Sequence, residues 1–160
     1  MTYRPRTYTF DAELALHMSE AGGALTAEHA GSAPIVIAAD AVGTVGGTAK
    51  VVDTGSDTAA FSGIAVVDVG TVSGVNTLLI QGSTKPDFAD TVINLGVLPL
   101  NVGSGHLGDA DVDAVADRYE VPIVNEQGDV LYRYIRVQKV GAGTLNINAF
   151  LGRASGPVMP

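Results

Sequence analysis

Five carboxylates crowd twelve residues of this chain: Asp109, Asp111, Asp113, Asp117 and Glu120. They fall at positions 1, 3, 5, 9 and 12 of the loop that an EF-hand wraps around calcium, a hard cation that takes oxygen ligands. Position 6 is Ala114, where that loop needs glycine for its sharp turn, and no helix is expected on either side. Both departures disfavour an EF-hand proper. The stretch remains a weak calcium candidate, with a solvated acidic loop as the plainer reading. Just before it, Gly103-Ser104-Gly105-His106-Leu107-Gly108 spells GxGxxG. That motif binds a pyrophosphate only between a strand and a helix, and the aspartates that follow here would repel one.

Nucleophilic catalysis fares no better. His17, His29 and His106 stand apart from one another, none beside a GxSxG elbow. There is no cysteine, so thiolate metal sites, cysteine nucleophiles and disulfides are all excluded. Seventeen acids offer many pairs for glycoside hydrolysis, but the aromatic groove that such sites use is poorly supplied by no Trp, five Tyr and four Phe. The expectation is a non-enzyme without a cofactor.

Charge narrows the partners. The formal net charge is −8, which disfavours nucleic acid, because phosphate binding draws on clustered Lys and Arg. The acids gather before residue 118. From residue 118 onward lie Arg118, Arg133, Arg136, Lys139 and Arg153 against three acids. No apolar run approaches the roughly 18 residues of a membrane span, and the amino terminus lacks a signal peptide's apolar core. A protein made in the cytoplasm and not bound to membrane is expected.

The elements that must carry any site are strands. The chain is rich in Val, Thr, Ala and Gly, with 20 glycines, a texture that suits short strands and tight turns. In Thr7–Leu16, Tyr8, Phe10, Ala12, Leu14 and Leu16 alternate with polar residues, the period of a half-buried strand. Further strands are expected over 34–40, 47–54, 60–69, 75–82, 91–98, 119–124, 130–139 and 144–151. Phe61, Ala65, Val67 and Val69 share one face, as do Leu145, Ile147, Ala149 and Leu151. Residues 119–139 read as one hairpin turning through Asn125–Gly128. Nine runs with turns about every ten residues, and no ten-residue helix, point to a single domain (1–160) built as a two-sheet jelly-roll sandwich. Met1–Arg6 and Gly152–Pro160 read as extended arms.

Two places carry residues suited to protein contact. The run Val130–Lys139 is apolar on both faces, with Leu131, Ile135 and Val137 on one and Tyr132 and Tyr134 on the other. With Arg133 and Arg136 it has the Tyr/Arg character of interfaces. The amino-terminal arm adds Tyr3, Arg4, Arg6 and Tyr8.

The opening YTFDAELAL, the segment TLLIQGSTKPDFADTVINLG and the block RYEVPIVNEQGDVLYRYIRVQKVGAGTLNINAFLGR together resemble the jelly-roll capsid cement (decoration) proteins of short-tailed bacteriophages. The resemblance covers about two thirds of the chain; the Gly/Ala-rich stretch 21–74 lies outside it. It implies a structural homo-oligomer, a dimer or trimer, seated on the outside of an icosahedral head. There it would clamp neighbouring major capsid protein subunits and be part of the virion. The competing expectation is a receptor- or carbohydrate-binding β-domain of a phage fibre or small lectin, for which Asp109–Glu120 would be the site.

Overall fold

A computed structural model describes residues 12–19, 34–55, 57–100 and 117–152. They form an all-β protein in which the one helical element is a 3-10 turn, η1 (Ala12–Leu14). The strands are β1 (Ala15–His17), β2 (Ile35–Val36), β3 (Thr44–Val45), β4 (Thr48–Ala49), β5 (Val52–Asp53), β6 (Ser62–Ser73) and β7 (Asn76–Ser83). They continue with β8 (Val92–Leu100), β9 (Arg118–Val124), β10 (Glu126–Gln127), β11 (Val130–Leu131), β12 (Tyr134–Val140) and β13 (Thr144–Gly152). Sheet one runs β1-β13-β6-β9, with β2 also paired to β13; sheet two runs β5-β12-β7-β8. β3-β4 and β10-β11 are separate two-stranded ladders. The pairing is nested: β7 with β8, then β6 with β9, β5 with β12, and β1 with β13, all antiparallel.

Alternation along the long strands builds one core shared by the two sheets. β13 turns Leu145, Ile147, Ala149 and Leu151 inward, and the β6 side supplies Phe61, Ala65, Val67 and Val69, as their spacing predicts. Leu78 and Ile80 from β7, Ile135 and Val137 from β12, and Val52 from β5 complete it from sheet two. Each Val, Leu, Ile or Phe among them is worth about 1.5–3 kcal/mol relative to exposure.

The two sides of the stack close where glycine allows it. On one side residues 41–45 cross from sheet two to sheet one. Ala41 O accepts from Lys139 N, Gly43 N donates to Val137 O, and Thr44 O accepts from Met18 N, at 2.8–2.9 Å. Any side chain at Gly43 would collide with Leu16 O and Val137 Cγ1. On the other side a Cβ at Gly96 of β8 would lie 2.7 Å from Val121 Cγ1 of β9.

Three expectations are corrected. The part of Thr7–Leu16 that is described is a 3-10 turn followed by the first two residues of β1. Ala15, Leu16 and His17 are all buried, so the alternation does not persist where the β3–β4 ladder covers the strand's second face. Residues 119–139 are not one hairpin. β9 pairs with β6 in sheet one and β12 belongs to sheet two. Between them β10 and β11 make a small hairpin through Gly128 and Asp129. Both have positive φ (56° and 63°), the backbone of a type I′ turn whose twist matches its strands. Finally, Val130–Lys139 is broken at Tyr132–Arg133 into β11 and β12. The buried Asn125 explains the break. Its Oδ1 accepts from the Phe61 amide at 2.6 Å, its Nδ2 donates to Tyr132 O at 3.3 Å, and its backbone carbonyl accepts from Tyr132 N at 2.8 Å. Tyr132 thereby continues the β10–β11 register to Asn125, and the chain joins sheet two only from Tyr134.

Candidate protein-binding face

Because Ile135 and Val137 point into the core, Tyr134, Arg136, Gln138 and Val140 must point out of sheet two. Register sets their neighbours. Tyr134 lies opposite Ser83 and then Val92; Arg136 opposite Gln81 and then Asn94. Gln138 follows with Leu79 and Val97, and Val140 with Thr77 and Pro99. The one carboxylate in these four rows is Asp53 of the edge strand β5, opposite Tyr134, on a chain that carries seventeen acids. Val97 (51%) and Val140 (41%) are exposed, with Leu79 half-buried between them. The face is flat, charge-poor and apolar toward one end, which is the composition of an interface core.

Arg136 sits in the polar part of this face and is held from two sides. Its Nε donates to Gln81 Oε1 at 2.9 Å, and its guanidinium lies 4.1 Å from the centre of the Phe88 ring. Phe88 belongs to the β7–β8 connection and reaches back over the sheet with φ at 54°, a conformation rare for a bulky residue. The Lys85 carbonyl accepts from the Phe88 amide at 3.2 Å, and Ser83 Oγ accepts from the Lys85 amide at 3.1 Å, which shapes the connection. Such strain persists only where the surroundings hold it, here by burying the ring to 8% exposure. Burial pushes the Arg136 pKa down from the ordinary guanidinium value, without discharging it at neutral pH. Among the described residues no carboxylate pairs with Arg136. Its outer nitrogens are therefore free to meet a partner.

Arg133, three residues earlier, is already used. It donates through Nε and Nη2 to both oxygens of Asp53 at 2.6 and 2.9 Å, and through Nη1 to Asp57 at 3.0 Å. Asp53 Oδ1 also accepts the Gly55 amide at 2.8 Å. The Arg133 hydrogen bond, then the Gly55 amide, hold the Asp53 carboxyl below the usual carboxylate range; the two aspartates raise the Arg133 pKa further. This fork secures the edge strand β5 to the chain entering β12. Thr54 adds to it, donating to Arg133 O from both its amide and its hydroxyl at 3.0 Å.

The sequence-predicted contact residues thus separate. Tyr134 and Arg136 lie on the open face. Arg133 is a fastening at the rim, its guanidinium 5.4 Å from the Tyr134 ring. Tyr132 leaves the face altogether: it is 8% exposed and packs on Gly82, where a Cβ would sit 2.9 Å from its own. Tyr3, Arg4, Arg6 and Tyr8 lie outside the described residues, as do Asp109, Asp111 and Asp113. Of the calcium candidates that are described, Asp117 accepts the Arg118 amide at 2.7 Å and Glu120 is exposed on β9. Among the described residues no cluster of His, Asp or Glu is arranged to hold a metal. Phe88, Gln81 and Val97 were not legible as site residues. The alternation of Thr77, Leu79 and Gln81 with the core residues Leu78 and Ile80 is the signal that could have found the middle strand. Comparison with protein-family models, curated proteins and solved structures found no match for this chain.

Proposed function

We propose that this protein is a structural, non-catalytic capsid cement protein of jelly-roll fold. It would sit on the outside of an icosahedral phage head and clamp neighbouring major capsid protein subunits. The nested strand order supports the fold: a long hairpin with β7–β8 at its tip, rolled so that β13 meets β6 and β12 meets β7. That is how two Greek keys make a double-sheet jelly roll, an architecture common in viral shells.

The observation that carries the function is Arg136. A guanidinium held on Phe88 and Gln81, with no carboxylate partner among the described residues, in a face whose Asp53 is already bound by Arg133, is an anchor waiting for a carbonyl or carboxylate of another protein. Exposed Val97 and Val140 on the same face supply the apolar contact around it. Binding as a dimer or trimer to many equivalent sites multiplies weak contacts through avidity. The rest of the acidic surface would keep a coated particle soluble.

Pelleting of heads stripped of this protein tests the reading. The purified chain should co-sediment at low and moderate salt, and Arg136→Ala should weaken that binding at least about tenfold without lowering the melting temperature by more than a few degrees. If the wild-type chain stays in the supernatant at both salts, the proposal fails.

A further inference from the structure

His17, the last residue of β1, is 1% exposed. Its Nδ1 accepts a hydrogen bond from the Thr44 backbone amide at 2.9 Å, and its Nε2 lies 3.4 Å from the Ile35 carbonyl. A peptide N–H can only donate, so Nδ1 must present its lone pair. The single ring proton then sits on Nε2, toward Ile35 O. One neutral imidazole thus ties β1 to β3 and to β2. Besides it, the ladder between β1 and the β3–β4 hairpin is short: Met18 N donates to Thr44 O at 2.9 Å and Gly46 N to Met18 O at 3.4 Å.

Protonation breaks this arrangement. An imidazolium has donors on both nitrogens and would set an N–H against the Thr44 N–H. Among the described residues no ion pair offsets the charge. β2, β3, β4 and β13 carry no ionisable side chain. On β12, Tyr134 and Arg136 point out of the sheet, and the buried Lys139 donates its ammonium to Gly141 O at 2.8 Å. Lys50, just after β4, donates its amide to Gly43 O and adds a second positive group beside the crossing segment, and Glu13 within η1 is exposed. Burial pushes the His17 pKa below its ordinary 6.5, against the smaller upward pull of the Ile35 and Val36 carbonyls. The unfolded chain therefore takes up this proton first. Stability is full above about pH 6.5 and is lost as pH falls from there toward the lowered folded value.

We infer that His17 is an acid-sensitive latch, which holds the first strand of sheet one against the β3–β4 hairpin at neutral pH and lets it go on mild acidification. The latch is independent of the open face of sheet two and of what binds there.

The test compares the wild-type chain with His17→Asn, whose Oδ1 can accept the Thr44 amide but cannot titrate. Between pH 7.5 and 5.5 the wild-type melting temperature should fall by about 3–5 °C more than that of the variant. His29 and His106 are common to both chains, so the difference isolates His17. Equal pH dependence in the two chains would overturn the latch. Should the variant fail to fold, nitrogen-detected NMR of the wild-type imidazoles decides instead. An Nε2-protonated His17 titrating below 6.5, with Thr44 amide protection lost in step, sustains the inference. Titration at an ordinary histidine pKa with Thr44 still protected refutes it.

Discussion

The two large sheets turn very different outer surfaces to their surroundings. On sheet one, Ile64, Val66 and Phe150 point away from the shared core yet are 8%, 0% and 2% exposed, as buried as the core itself. Beside them Asn148 is fully buried, and the exposed end of the sheet carries the Arg118–Asp68 ion pair at 2.6 Å. On sheet two Val97 and Val140 remain in solvent, and Arg136 meets no acid among the described residues. Apolar residues on an outer face are therefore not one phenomenon. Where they are buried they stabilise the fold; where they are exposed on a charge-poor sheet face they are available to another molecule.

Truncating each face separates the two roles. Phe150→Ala should cost about 3–5 kcal/mol in chemical denaturation, the usual loss for a buried phenylalanine, although the residue is outside the core cluster. Val97→Ala should change stability by less than about 0.5 kcal/mol and weaken binding to stripped heads instead. A large stability loss at Val97 would erase the contrast. Between these extremes, Asn125→Ala leaves the Phe61 amide without its partner and should cost about 1–3 kcal/mol. The smallest effect sharpens the comparison within β12 and its approach. Arg136→Lys keeps the charge but loses the flat stacking on Phe88, so binding should weaken severalfold. Arg133→Lys should leave binding unchanged, because Arg133 already spends its donors on Asp53 and Asp57. Side-by-side titrations of both variants against stripped heads check this.

The long strands were legible because their partners lie on both sides of a regular pleat. Alternation alone placed Leu145, Ile147, Ala149 and Leu151, and likewise Phe61, Ala65, Val67 and Val69, on the faces they occupy. What alternation could not show was which strand pairs with which. Tyr119–Val124 and Val130–Lys139 look like a hairpin locally, but Asn125 bonds Phe61 from 64 residues away and diverts the chain. The site failed for the same reason of distance. Arg133 and Arg136 are equivalent in sequence, and only Asp53, 80 residues off, and Gln81, 55 residues off, tell them apart. Phe88 lies between the expected strands 75–82 and 91–98, where nothing local indicates that its ring folds back over the sheet.

The nesting of β1 on β13 has a mechanical consequence. Ala15 lies opposite Phe150 and His17 opposite Ala149, so the chain enters β1 and leaves β13 at the same corner of sheet one. A pull applied through residues on both sides of that pair loads its hydrogen bonds one after another, as in opening a zipper, rather than all together in shear. The first element to yield under tension is thus a three-residue strand, while the long β13–β6 ladder behind it carries little of the load.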